Sequence, residues 1–307
     1  MKKILTVLLV AAMLLTCMLL AACTGNTDPS QPGGQRPGES GDAPTVDGMI
    51  DCYIAFSGTS YTTTDASAVR AEGSTLTIIK PGTYDLTGTL DNGQIIVEVT
   101  KADRVTLILN NFTGSNSTSA VIWVKSADKV YLEVKTGTTN TLSDASTYVY
   151  PNANETKPNA CIYAADDLSI KGHGTLIVKG NSNNGIGCKN DLSINNVKLT
   201  VSAVNNAIKG NNSVTIKGDA EVLVEGAEDA IKADSLDEGK GYVTVTENAK
   251  VTVHCDDDGL QATQNITITT GATVTTYAGG DSINCDGMIT IDEGCLIENI
   301  PDGTVAE

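Results

Sequence analysis

The sequence predicts an all-β protein folded as a right-handed parallel β-helix of about nine coils, and two observations carry that expectation. An aliphatic residue returns six times behind a small residue, at Ile162, Ile186, Ile208, Ile231, Leu260 and Ile283, with spacings of 24, 22, 23, 29 and 23 residues. Such a period marks a solenoid, in which each repeat buries its apolar face on its neighbours. From Ile50 onward lie short β-branched runs of period two, such as Val105–Leu109 and Thr175–Val178, bounded by Gly, Asn and Asp; this is the signature of strands. Past the first 23 residues no window shows a helical period. About three short strands per repeat fit a β-helix better than a propeller or a leucine-rich repeat. At ~4.8 Å per coil the rod would be about 43 Å long.

Along the chain, residues 1–22 carry Lys2 and Lys3 and an apolar run from Ile4 to Leu20 broken only by Thr6 and Thr16. They read as a lipoprotein signal peptide. The closing Leu20-Ala21-Ala22-Cys23 resembles a lipobox, whose cysteine is acylated and becomes the mature N-terminus. Residues 23–48 are rich in Gly, Pro, Ser and Asp and read as a flexible linker between that lipid and a β-helix at 49–307. The expected location is the extracytoplasmic face of a cell membrane, with membrane contact only through the lipid on Cys23.

Within the domain, Ala102-Asp103-Arg104-Val105 matches Ala127-Asp128-Lys129-Val130 at an offset of 25, and the same offset is expected to relate Gln94–Val99 to the run around Ile122. The 40-residue step from Ile122 to Ile162 places an insertion at Asp144–Asn159, and the 29-residue step places a second at Ser235–Gly241. Insertions into repeats map to loops and often border a binding face. Six cysteines follow Cys23 in the chain. Cys188 and Cys285 occupy equivalent positions several coils apart, beyond the ~7 Å Cα limit for a bridge, so free buried thiols are expected.

The net charge of −17 becomes −19 when residues 1–22 leave with Lys2 and Lys3. This excludes nucleic acid and unassisted binding to anionic lipid, which need Lys and Arg to neutralise phosphate. Stacked coils turn equivalent positions into columns. Two residues before the anchors the column reads Ala160, Asn184, Asn206, Asp229, Asp258, Asp281. Asparagines so placed form side-chain amide ladders. Stacked aspartates repel unless protonated or bridged by a cation. Glu228, Asp234, Asp256, Asp257 and Asp286 add oxygen donors nearby, and hard oxygens in this number suit Ca²⁺ better than Zn²⁺. A solvated acidic rim that keeps the protein soluble is the other reading. One residue after the anchors, the outward column reads Trp123, Tyr163, Gly187, Lys209, Lys232, Gln261, Asn284. Trp123 over Tyr163, followed by Lys209 and Lys232, would suit a sugar chain that stacks its ring faces and hydrogen-bonds its edges. Catalytic candidates are few: Gly172-His173-Gly174 sits in a turn, and a lyase would need Lys209 or Lys232 as its base.

The runs Gly88–Val97, Val124–Val130 and Thr139–Asp144, with the recurring Asn-Ala-Ile-Lys and Asp-Ala-Ile-Lys blocks, resemble a bacterial carbohydrate-binding β-helix family over roughly residues 50–301. The resemblance implies a polysaccharide-lyase-like fold, binding of cellulose-type or acidic pectin-type polysaccharide without established cleavage, and bound calcium. Asp229 and Asp258 stand where that family has an Asp-Gly-Ile block; Asn184 and Asn206 depart from it. The function so implied is non-catalytic polysaccharide binding with Ca²⁺. The rivals are a calcium-dependent lyase acting on polyuronate and a structural surface protein without ligand.

Overall fold

The computed structural model describes residues 49–150 and 157–299. The expected signal peptide at 1–22, Cys23 and the expected linker to residue 48 lie outside the described residues. Among the described residues every regular element is a strand. Each repeat supplies three of them, as in Asn184–Cys188, Asp191–Asn195 and Lys198–Ala203, followed by Ile208–Gly210, Ser213–Lys217 and Glu221–Glu225. Each strand pairs in parallel with its counterpart one repeat away. The result is a set of long parallel sheets of β-solenoid type.

The anchors share one sheet. Ten strands, from Val69–Glu72 to Ile283–Cys285, hydrogen-bond side by side. Ile122 pairs with Ile162, and the register continues through Ile186, Ile208, Ile231 and Leu260 to Ile283. We call this the anchor sheet. The other two strands of each repeat form a second and a third ladder. Both descend from the 12-residue strand Arg104–Ser115, which pairs with Lys129–Val134 along its first half and with Thr139–Ser143 at its end. Three short strands per repeat therefore hold only beyond this point.

The offset of 25 holds on the second ladder, where Arg104 pairs with Lys129, but not on the anchor sheet, where Ile95 pairs with Ile122 at an offset of 27. The corner before Arg104 is two residues longer, closed by a turn from Thr100 to Asp103, and a bulge follows Val97. A slip of two keeps the side chains from Ile95 to Val97 on their own faces.

The small residue before each anchor has a steric cause. A Cβ on Gly185 would stand 2.3 Å from Val201 Cγ1 on the third strand of the same repeat, and one on Gly259 would stand 2.5 Å from the Ser282 carbonyl oxygen. A second repeated corner sets the turn between the second and third ladders. Gly172, Asn196, Gly218, Glu247, Gly271 and Gly294 all have positive φ and recur at the solenoid period. This conformation is open to Gly and tolerated by Asn.

At the N-terminal edge two antiparallel hairpins, Cys52–Gly58 with Ser60–Thr63 and Val69–Glu72 with Thr75–Ile78, close the stack, with Cys52–Gly58 and Thr75–Ile78 pairing in parallel with its next strands. They cover a sheet edge that would otherwise present unpaired N–H and C=O groups. The core is one continuous apolar cluster. Cys52, Cys161, Cys188 and Cys255 are buried free thiols, and Cys285 and Cys295 are half-buried and also free. Burial pushes the Cys188 thiol up to about 12, which keeps it protonated and unreactive.

Ile208, fully buried in mid-stack, and Ile283, half-buried in the last anchor strand, test this packing. Ile208→Ala should cost about 2–5 kcal/mol and Ile283→Ala under about 2 kcal/mol, read from urea-unfolding midpoints. Equal costs would mean that the anchors are not one graded column.

Candidate functional site

The outward column is in register as expected: Trp123, Tyr163, Gly187, Lys209, Lys232, Gln261 and Asn284 are successive partners on the anchor sheet. Both insertions flank this sheet. The segment after Asp144 leads into Ala160–Ala164, and Ser235–Gly241 follows Ile231–Ala233. Neither interrupts a ladder.

The aromatic pair departs from expectation. Tyr163 is buried at 5% exposure rather than open to a stacked ligand. Its ring lies across Gly187, where a Cβ would stand 3.4 Å from Tyr163 Cδ2 and 3.5 Å from Asn159 Oδ1. The missing side chain at Gly187 lets the tyrosine fold onto the next coil. Trp123 is half-buried, with Lys125 Nζ 5.8 Å from its ring centroid and its own Nε1–H buried without an acceptor among the described residues. Of the two aromatics, Trp123 is the one with open ring surface.

Beside Gly187 the surface sinks into a cleft of about 320 Å³. Lys157, Asn159, Tyr163, Asn184, Lys189, Lys209 and Asn211 line it, with Gly187 and Cys188. Lys157 and Lys189 were missed from the sequence. Lys189 stands three residues after an anchor, the column that also holds Asn211, Asp234 and Asp286, so its signal was present. Burial pushes the Tyr163 hydroxyl up to about 12, so it stays protonated as a hydrogen-bond donor.

The insertion that leads into the cleft is tied down by a buried carboxylate. Tyr148 donates to Asp144 Oδ2 at 2.5 Å, the Asn181 N–H donates to Oδ1 at 2.6 Å, and Asn181 Nδ2 donates to the Asp144 carbonyl at 2.8 Å. Burial pushes the Asp144 carboxyl up to about 6, against the pull of these donors.

The column two before the anchors divides into two chemistries. Asn206 donates to Asn184 Oδ1 through both its backbone N–H, 3.1 Å, and its Nδ2, 2.9 Å. This is the amide ladder read from the sequence. It stops where asparagine gives way to aspartate: Asn206 Oδ1 is buried with no hydrogen-bond partner among the described residues. A carboxylate has no donor to offer it. The aspartates keep the backbone half of the ladder. The Asp258 N–H donates to Asp229 Oδ1 at 3.3 Å and the Asp281 N–H to Asp258 Oδ1 at 3.0 Å.

Their other oxygens are held from the outward column. Lys232 Nζ lies 2.8 Å from Asp229 Oδ2, while Gln261 Nε2 and Asn284 Nδ2 donate to Asp258 Oδ2 at 2.7 and 2.6 Å. The stacked aspartates Asp229 and Asp258 thus also have side-chain donors as partners. Lys209 is likewise bonded to Asp234, at 2.5 Å. Neither lysine has an idle amine for proton abstraction.

Of the eight acidic residues singled out as metal ligands, three converge: carboxylate oxygens of Asp229, Asp257 and Asp258 lie within 4.8 Å of one another. Asp229 and Asp258 are buried and Asp257 is exposed. The charge of Asp258, reinforced by burial and by Asp229, holds the Asp257 carboxyl above its ordinary range. Gly280 borders the group, and a Cβ there would stand 2.5 Å from Asp257 Oδ1 and 3.0 Å from Asp258 Oδ1. Glu228, Asp256, Asp281 and Asp286 are exposed and Asp234 pairs with Lys209, so none of these five joins the cluster.

This fold is all-β, with long parallel sheets of β-solenoid type. A structure titled for a polysaccharide lyase-like protein from C. thermocellum, a gadolinium derivative, is similar at 37% identity with a TM-score of 0.77, over 81% of this chain and 100% of that one. The family model described as carbohydrate-binding domain-containing protein matches residues 72–296, and the chain belongs to that family. A carbohydrate-binding domain-containing protein of Acetivibrio thermocellus is 37% identical over 196 residues, which cover 64% of this chain. The match spans 65% of that relative's length.

The raised Asp144 carboxyl gives a pH prediction. The native state holds this proton up to about 6, whereas the unfolded chain releases it near 3.8. Between those values the native state binds more protons, so the contribution of Asp144 to stability falls as pH rises through that window. A carboxyl-carbon NMR titration should give Asp144 a midpoint near 6. A midpoint near 4 would show the carboxyl solvated and the insertion untied.

Proposed function

We propose that this protein binds polysaccharide without cleaving it, along the outward face of the anchor sheet, with Ca²⁺ at its acidic end. The observation that carries the reading is the single register of that face. Seven equivalent positions from Trp123 to Asn284 stack in line, offering one indole followed by ammonium and amide groups. A chain of sugar rings meets the same requirement at each step, a polar edge to hydrogen-bond and an apolar ring face to cover. Family membership and the lyase-like relative support the same reading. The finer architecture we assign is a right-handed solenoid of about nine coils. The preferred ligand class is a cellulose-like or acidic, pectin-like glycan. We further propose that signal peptide 1–22 is removed and that Cys23 carries a lipid, which would hold the domain at the outer face of the membrane.

For calcium, Asp229, Asp257 and Asp258 would be the ligands. The donor set is all hard oxygen, and the space above Gly280 is clear of side chain. When bound, the ion would offset the mutual repulsion of three carboxylates and offer open positions to sugar hydroxyls or a carboxylate. Gadolinium, present in the solved relative, seeks similar oxygen donors. Lys232 competes for Asp229 Oδ2.

Two measurements test this. Calcium should raise the melting temperature of the wild type. The shift should shrink in Asp257→Asn and grow in Lys232→Met, which removes the competing ammonium; at 100-fold excess over Kd the effect is about 2.7 kcal/mol. No shift at millimolar Ca²⁺ would remove calcium from the account. Separately, affinity electrophoresis in cellulose-type and pectin-type gels should show retardation, reduced by Trp123→Ala. Free migration through every gel would contradict polysaccharide binding.

A further inference from the structure

We infer that the cleft beside Gly187 is a cation-independent subsite for an anionic substituent on a bound sugar, a carboxylate or a sulfate ester; this rests on the polysaccharide-binding reading. The chain carries 37 acids against 20 bases, yet among the described residues three lysines and no carboxylate line this cleft. Lys209 is neutralised by Asp234. Lys157 and Lys189 form no ion pair among the described residues. Lys157 Nζ stands 4.9 Å from the Tyr150 ring centroid, a contact that orients an ammonium without cancelling its charge.

Neutral donors complete the lining. Asn184 is 2% exposed and its Oδ1 is taken by Asn206, which leaves its amide N–H groups as what it can offer. The Tyr163 hydroxyl makes no hydrogen bond among the described residues and remains protonated. Two ammonium groups without an ion pair among the described residues, together with neutral N–H and O–H donors, recognise an oxyanion rather than a cation or an apolar group. A volume of about 320 Å³ is at the small end of ligand pockets, suited to one substituted sugar rather than a polymer segment. The anchor-sheet face therefore has two electrostatic ends: an acidic one, where an anionic glycan needs a bridging ion, and this one, where it does not.

The test is calorimetry on the full protein, in EDTA and in parallel in millimolar Ca²⁺, with three probes: an oligogalacturonide, a sulfated oligosaccharide and a neutral cello-oligosaccharide. Lys157→Gln/Lys189→Gln is compared with Lys198→Gln/Lys250→Gln, the same charge change on exposed lysines of the third ladder. Wild type should bind at least one anionic probe. The cleft variant should weaken that binding by about tenfold or more, the third-ladder variant should match wild type, and the probe most affected identifies carboxylate or sulfate. Two results overturn the subsite: anionic binding that EDTA abolishes, or a cleft variant that binds as tightly as wild type. Neutral binding with no anionic binding overturns the subsite but leaves polysaccharide binding standing, whereas silence of all three probes both in EDTA and in millimolar Ca²⁺ overturns both.

Discussion

Parallel hydrogen bonding between successive strands of the anchor sheet keeps each equivalent residue above the last, at a rise of about 4.8 Å per coil. Every other feature of the site inherits that constraint. An amide above an amide gains a hydrogen bond, and a carboxylate above a carboxylate meets repulsion. The same rule that makes Asn184 and Asn206 a ladder makes Asp229 and Asp258 a problem the surrounding side chains must solve.

The solution lies in the repeated four-residue block around each anchor. Its first and fourth positions face each other across the anchor backbone, so Asp229 meets Lys232 and Asp258 meets Gln261, with Asn284 reaching back from the next coil. Burying a carboxylate is tolerable only when its lone pairs are filled. Asp257 stands outside this arrangement, exposed and raised by its neighbours, and it turns two satisfied carboxylates into a cluster with room for an ion. Toward the N-terminal side Gly187 removes a side chain from the outward column, Tyr163 fills the gap, and a cleft opens among lysines. One face thus changes from basic to acidic within a few coils, although the chain as a whole is strongly acidic.

The anchor column, the Asn ladder, both insertions and the pairing of Trp123 with Tyr163 were legible in the sequence because each follows from periodicity. What escaped depends on contacts that periodicity does not encode. Alternation says that Tyr163 points outward, but not that an empty Gly187 lets it fold down to 5% exposure. Spacing lists eight acidic residues near one end; only the folded positions show that three of them converge. The offset of 25 failed on the anchor sheet because a longer corner and a bulge absorb two residues there without changing the facing pattern. The left-handed corner of Gly172, Asn196, Gly218, Glu247, Gly271 and Gly294 repeats at the solenoid period and was a readable signal, masked by mixed residue types.

Amide chemical-shift mapping with a bound oligosaccharide tests most directly whether this register is a binding surface. The perturbed residues should cluster on anchor-sheet strands from Ile122–Ser126 to Ile283–Cys285 and on the two flanking insertions. Perturbations centred instead on the hydroxyl-bearing second ladder, around Thr215, Thr244 and Thr267, would contradict the account.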